Sequence, residues 1–142
     1  MAIEKGLFQL VTANAGIQAA IGVDANGVTR AFWILAPEGT TLPFLVFSRI
    51  GTVDTYAMAG TTGLREGMFQ IAVYSSTYYP GRSAANLVRK LLENFKGALP
   101  DTDATIVEAV FTDKDFDRQY EEGGKNFTFA TYLQFKVWFQ AD

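Results

Sequence analysis

From Phe127 to Phe139 the sequence alternates without a break. Phe127, Phe129, Thr131, Leu133, Phe135, Val137 and Phe139 fall on one side of an extended chain, and Thr128, Ala130, Tyr132, Gln134, Lys136 and Trp138 on the other. Successive side chains of a β-strand point to opposite faces, so the run specifies a long strand with one strongly apolar face. A helix would scatter the same residues around its circumference. A slip of one residue would send the whole apolar set into water, so burial fixes the register and this strand is expected to anchor the core. It needs strands beside it and a layer over it.

Both are legible upstream. From Thr105 strand character returns through Val107, Ala109 and Phe111, then the chain turns acidic before an expected turn at Glu121-Glu122-Gly123-Gly124-Lys125-Asn126, which makes a long hairpin near the C-terminus. Leu64 to Ser76 reads as another strand, with Phe69, Ile71 and Val73 on one face and Gln70, Ala72 and Tyr74 on the other. Phe44 to Val53 alternates as well, with Phe44, Val46, Ser48 and Ile50 opposite Leu45, Phe47, Arg49 and Gly51, and is expected to be covered on both faces. Thr29 to Leu35 is a first strand, reached through Asn26-Gly27 turn chemistry and left through the loop Ala36 to Pro43. Between the second and third strands, Asp54 to Gly63 shows little periodicity and reads as a mobile loop.

The covering layer comes from two helical patterns. Ile3, Leu7, Leu10 and Val11 recur at helical spacing, and Ile17, Ala20 and Ile21 continue them past a weak point at Asn14-Ala15-Gly16, which gives a helix with a break. The second helix has Pro80 near its first turn, Ser83 as a candidate cap, a stripe of Leu87, Val88, Leu91, Leu92 and Phe95, and Gly97 with Pro100 to end it. Hairpin connections without βαβ alternation indicate an α+β fold: a mainly antiparallel sheet packed by two helices. With 142 residues the chain is expected to form one domain, 1–142, burying about 70% of its unfolded surface.

What is missing restricts the chemistry. The chain has no Cys and no His, so thiolate nucleophiles, disulfides, Cys-ligated zinc, iron-sulfur clusters and imidazole bases are all excluded. No Ser-His-Asp triad can be assembled. Twelve cations against fifteen carboxylates, net −3, oppose the phosphate neutralisation on which nonspecific DNA binding depends. No apolar run approaches the ~20 residues of a membrane-spanning helix, and the start shows no secretion signal, so cytosolic residence is the expectation.

Several local patterns fail as sites. Asp113-x-Asp115-x-Asp117 resembles the start of a calcium loop, but Arg118 stands where the Gly belongs and Gly124 where the bidentate Glu belongs. The same acids lack the contrasting environments that would separate two carboxylates into acid and base. Gly60-Thr61-Thr62-Gly63 lacks the Lys-Ser/Thr and helix start of a phosphate loop. Asn126-Phe127-Thr128 matches a glycosylation sequon without a secretion signal, and Trp33, Tyr78 and Tyr79 read as packing residues. No catalytic residue, cofactor or metal is therefore assigned.

Charge segregation carries more. Asp113, Asp115, Asp117, Glu121 and Glu122, with Arg118 among them, form an acidic stretch, whereas Arg82, Arg89 and Lys96 repeat every seven residues along one helical line. Opposite patches on different faces favour head-to-tail association, with the basic line of one copy meeting the acidic stretch of another. The loop 54–63, with Asp54, Thr55, Tyr56, Met58, Thr61 and Thr62, and the hairpin tip 118–125 are the other expected contacts, because exposed segments can order against a partner. A long hairpin also offers unpaired strand edges that a neighbour can cover.

The order of segments LFQLVTANAGIQAAIG, PEGTTLPFLVF, GLREGMFQIAVYSSTYY, AANLVRKLLENF and YEEGGKNFTFATYLQFKVW resembles the tail-completion, or tail-terminator, proteins of long-tailed bacteriophages over nearly the whole chain. The resemblance implies a non-enzymatic virion protein, assembled in the host cytoplasm, that forms a ring, commonly a hexamer, at the head-proximal end of the tail tube. Such a ring stops tube polymerisation, joins the head-tail connector proteins, and lets DNA pass through its bore without specific binding. A neck-connector ring between portal and tail, or a small-ligand domain with an apolar pocket between helix and sheet, are the competing readings.

Overall fold

The computed structural model describes residues 2–23, 27, 29–34, 42–57, 60–93, 95–100, 106–122 and 126–140. Two helices, α1 (Ala2–Thr12) and α2 (Ala15–Ile21), precede the strands β1 (Ala31–Trp33), β2 (Phe44–Ala57) and β3 (Gly60–Ser75). Helix α3 (Tyr78–Leu92) follows, then β4 (Gly97–Ala98), β5 (Ile106–Glu122) and β6 (Asn126–Gln140). The strands make one sheet in the order β1-β2-β3-β6-β5-β4. The β1–β2 pair is parallel, and the other strand pairs are antiparallel. The last strand of the chain thus lies inside the sheet, between β3 and β5, as its alternation requires.

Leu133, Phe135, Val137 and Phe139 of β6 share a core with Phe69, Ile71 and Val73 of β3 and with Leu45 and Phe47 of β2. Their cover is helical. Ile3, Leu7 and Val11 of α1, Ile17 and Ile21 of α2, and Ala84, Ala85, Val88 and Leu92 of α3 close the same cluster. The break at residues 14–16 is made by Asn14, whose Oδ1 accepts from the Ile17 amide at 3.0 Å and caps α2. Helix α3 sits close on the sheet because Gly81 faces Ser75, and a Cβ there would lie 2.8 Å from the serine Cβ. Arg30 ties the first half together by donating to the carbonyls of Ile21, Val23 and Pro43.

Several expectations are corrected. The segment 54–63 is no loop: the backbone of β2 continues to Ala57 and that of β3 begins at Gly60, with Tyr56 opposite Thr61 and Ala57 opposite Gly60. Thr and Tyr in this stretch are strand formers, and a register shift between Asp54 and Tyr56 erased the alternation that would have revealed them. Met58 lies outside the described residues, as do Leu35 at the end of the expected first strand, residues 36–41 of the expected loop after it and 123–125 of the expected hairpin turn. The cap of α3 is Thr77, not Ser83, which lies inside the helix. Leu87 is exposed, and the buried stripe of α3 runs instead through Gly81, Ala84, Ala85, Val88 and Leu92. Gly97 and Pro100 stand beyond the end of the helix, and Gly97 belongs to β4.

On β2 one face is buried and the other only half-buried, with Ile50 exposed. Among the described side chains of β5 the buried ones are Val107 and Val110, while Phe111 faces out. The cause is a bulge between Val107 and Ala109, which moves the chain by one residue and reverses the faces; a second shift follows between Thr112 and Lys114.

Candidate interaction surface

The second shift on β5 returns Asp115 and Asp117 to the helix side of the sheet, opposite Leu133 and Thr131 of β6. There α3 meets them. Arg82 donates through Nη1 and Nη2 to the two carboxylate oxygens of Asp115, at 2.5 and 2.6 Å, a bidentate fork that fixes the helix azimuth as well as its distance. About two helical turns further, Arg89 reaches the same carboxylate at 3.2 Å and also Glu93 at 3.2 Å. Asp117 accepts from the buried Thr131 hydroxyl at 2.8 Å and from the Tyr78 hydroxyl at 3.2 Å, with Arg82 3.7 Å away.

The electrostatics follow from these contacts. The hydrogen bonds from Arg82 hold the Asp115 carboxyl below its ordinary range, against the opposing effect of partial burial. The same hydrogen bonds raise Arg82, so the guanidinium stays charged throughout. The negative charge of Asp117 beside it pushes the Tyr78 hydroxyl upward. A guanidinium already forked onto a carboxylate, and a carboxylate already saturated by two guanidinium groups, offer little to a metal or a second charged ligand.

The basic line therefore meets the acidic stretch of its own chain, through Arg82, Arg89, Asp115 and Asp117. This corrects the expected pairing with another copy: the spacing of seven correctly put both arginines on one side of α3, but β5 passes beneath that side. Lys96 is not on the line, because α3 ends at Leu92 and Lys96 is exposed beyond it. Asp113, Arg118, Glu121 and Glu122 belong to β5, and Asp54, Thr55, Tyr56, Thr61 and Thr62 to the β2–β3 hairpin; Asp54, Tyr56, Thr61, Arg118, Glu121 and Glu122 have strand partners, Asp113, Thr55 and Thr62 fall at register shifts, and the side chains of all nine lie outside the described detail. Thr131 was missed as a partner. Its signal was a single hydroxyl in an otherwise hydrocarbon series.

The opposite face of the sheet has a different organisation. Phe44 stacks on Tyr74 (5.1 Å, 21°), Tyr74 meets Tyr132 edge-on (6.3 Å, 78°), and Tyr132 stacks on Phe116 (5.1 Å, 18°). This row crosses β2, β3, β6 and β5, and beneath it Ala72 and Ala130 are fully buried although no described helix lies over them. Gln134 donates to Gln70 at 3.1 Å on the same face. A separate open depression of about 370 Å³ lies by α1 and α2, lined by Gln9, Thr12, Gln18, Thr29 and Pro100 among others. It is not the apolar pocket between helix and sheet that a small-ligand reading expected.

Comparison with known proteins adds the biological setting. A family model described as tail completion protein gp17 matches residues 5–140. A chain of the solved virion of a native gene transfer agent particle is 15% identical, with 99% of this chain and 96% of that one aligned at a TM-score of 0.76, which marks a shared fold. No curated protein matches the sequence significantly.

Proposed function

This chain belongs to the tail completion protein gp17 family, and from that premise we propose that it is a single-domain ring subunit at the head-proximal end of a phage tail tube. Family membership over residues 5–140 is the observation that carries this reading. In it, several copies, commonly six in such proteins, close a ring, end tube polymerisation and present a surface to the head-tail connector proteins. The work is done by shape and charge at protein contacts, with no bond made or broken. Two features suit that role. The clamp of α3 onto β5 fixes the helix on the sheet, which favours a constant geometry between contacts made by the two elements. Each copy also brings net charge −3, so an assembled ring repels DNA phosphates and lets the duplex slide through.

The β2–β3 hairpin is the element we assign to the tube or connector. Its tip is removable without disturbing the core, since Tyr56 and Ala57 pair with Thr61 and Gly60 across it and the next paired tier is Asp54 with Arg65. Negative-stain microscopy of tail-tube subunits polymerised with the intact protein should show tubes of limited length bearing a ring at one end. The variant lacking residues 55–62 should stay folded and leave tubes uncapped. Tubes that grow equally long with and without the intact protein would refute the assignment, and rings that bind connector but never tube would place the protein in the neck.

A further inference from the structure

Among the described residues the sheet is open along most of both outer sides. β1 covers β2 only at Leu45, Val46 and Phe47, so from Ser48 to Ala57 β2 has β3 as its one strand partner among the described residues. β4 covers β5 only at Ile106 and Val107, so beyond these β5 has β6 as its one strand partner among the described residues. Unpaired N–H and C=O groups in rows of this length are templates for another strand. Exposed apolar side chains flank both rows: Ile34 (78% exposed) and Ile50 (51%) beside β2, Phe111 (53%) and Ile106 (42%) on β5.

Strand direction and level make the two edges complementary. Three successive antiparallel pairings lead from β2 through β3 and β6 to β5, so β2 and β5 run in opposite directions. Rotation about an axis along the strands preserves direction, which places β5 of one copy antiparallel to β2 of the next. Gly51 pairs with Met68, Met68 with Lys136, and Lys136 with Phe111, so Ile50, at the register shift before Gly51, stands at the level Phe111 occupies on the far side. We propose that the open edge of β5 pairs with the open edge of β2 in a second copy, Phe111 packing against Ile50, so that the sheet runs unbroken from subunit to subunit. The proposal deepens the ring reading and rests on it.

Two-fold pairing of like edges is disfavoured. β5 carries six carboxylates against two cations, and two such strands side by side would set like charges across the seam. Either two-fold pair would also leave the other kind of edge open, whereas head-to-tail pairing covers both.

The absence of cysteine allows a clean test. Neighbouring residues of antiparallel strands lie about 4.5–5.5 Å apart at Cα, within disulfide reach. Ile50→Cys and Phe111→Cys, both at exposed positions, should melt like the parent protein. Under mild oxidation their mixture should give a disulfide-linked dimer, each variant alone should not, and the double variant should give a ladder. In the unaltered protein, amide exchange over residues 48–53 and 109–114 should slow on assembly. Rings without the mixed cross-link, or cross-linking of Phe111→Cys with itself, would overturn the seam while leaving the ring. A protein that forms no ring alone or on tubes would overturn both.

Discussion

The same four long strands present two faces that are buried by different means. On the helix side, Leu45, Phe69, Ile71, Val73, Leu133, Phe135 and Val137 are covered from above by three helices. On the other side, Phe44, Tyr74, Tyr132 and Phe116 lie flat against the sheet and bury its alanines laterally. The first face needs a second layer and so dictates the fold. The second needs only its own neighbours in the sheet, which leaves strand edges and side chains available for contact with other proteins. Folding and assembly thus draw on opposite sides of one set of residues, alternating along each strand.

The largest effect should come from the first face. Phe135 is 1% exposed at the centre of the main cluster, and Phe135→Ala removes its contacts and leaves a cavity in a core closed on both sides. A loss of about 3–5 kcal/mol is expected, measured by urea unfolding. A loss below about 1 kcal/mol would mean that the helices do not close over the sheet as described.

The clamp between helix and sheet should come next. Asp115→Asn keeps the shape but deprives Arg82 and Arg89 of their shared charge, at a cost of about 2 kcal/mol near neutral pH. Because the folded-state pKa of Asp115 is depressed, its contribution is complete above the ordinary carboxylate range and is lost as pH falls through the lowered value. The gap in Tm between the parent and Asp115→Asn should therefore be widest at neutral pH and narrow below about pH 4. A gap independent of pH would show that the substitution acts through packing rather than charge.

Legibility in the sequence followed the same division. The helix-side faces of β3 and β6 were readable residue by residue, because a strict period of two encodes burial directly. The break before α2 was readable because Asn14 is a good cap. A bulge breaks this code: Ala109 and Phe111 share the parity of Val107 in the sequence, yet the inward residue after the shift is Val110. The arginine line was visible on α3, but its partner was not, since which strand passes beneath a helix depends on topology and β6 inserts between β3 and β5. The aromatic row was hidden for a related reason. Its members lie far apart in sequence, and only the pairing of four strands brings them into one line.

That row gives the smallest effect and the sharpest contrast between the faces. Phe116 is half-buried, stacked on Tyr132, and packs against a cluster containing Ala72 and Ala130. Phe116→Ala removes one ring from the end of the row, and water can enter the space because no layer lies above it among the described residues, so little cavity cost is added to the lost contact. About 1 kcal/mol is expected, against the several of Phe135→Ala, with the pH profile of the Asp115 clamp unchanged. The two substitutions remove the same side chain from the two sides of neighbouring strands, so their ratio measures what a covering layer contributes. A loss from Phe116→Ala as large as that from Phe135→Ala would show the helix-free side to be a second core essential to folding, and would remove the argument that it is free for assembly.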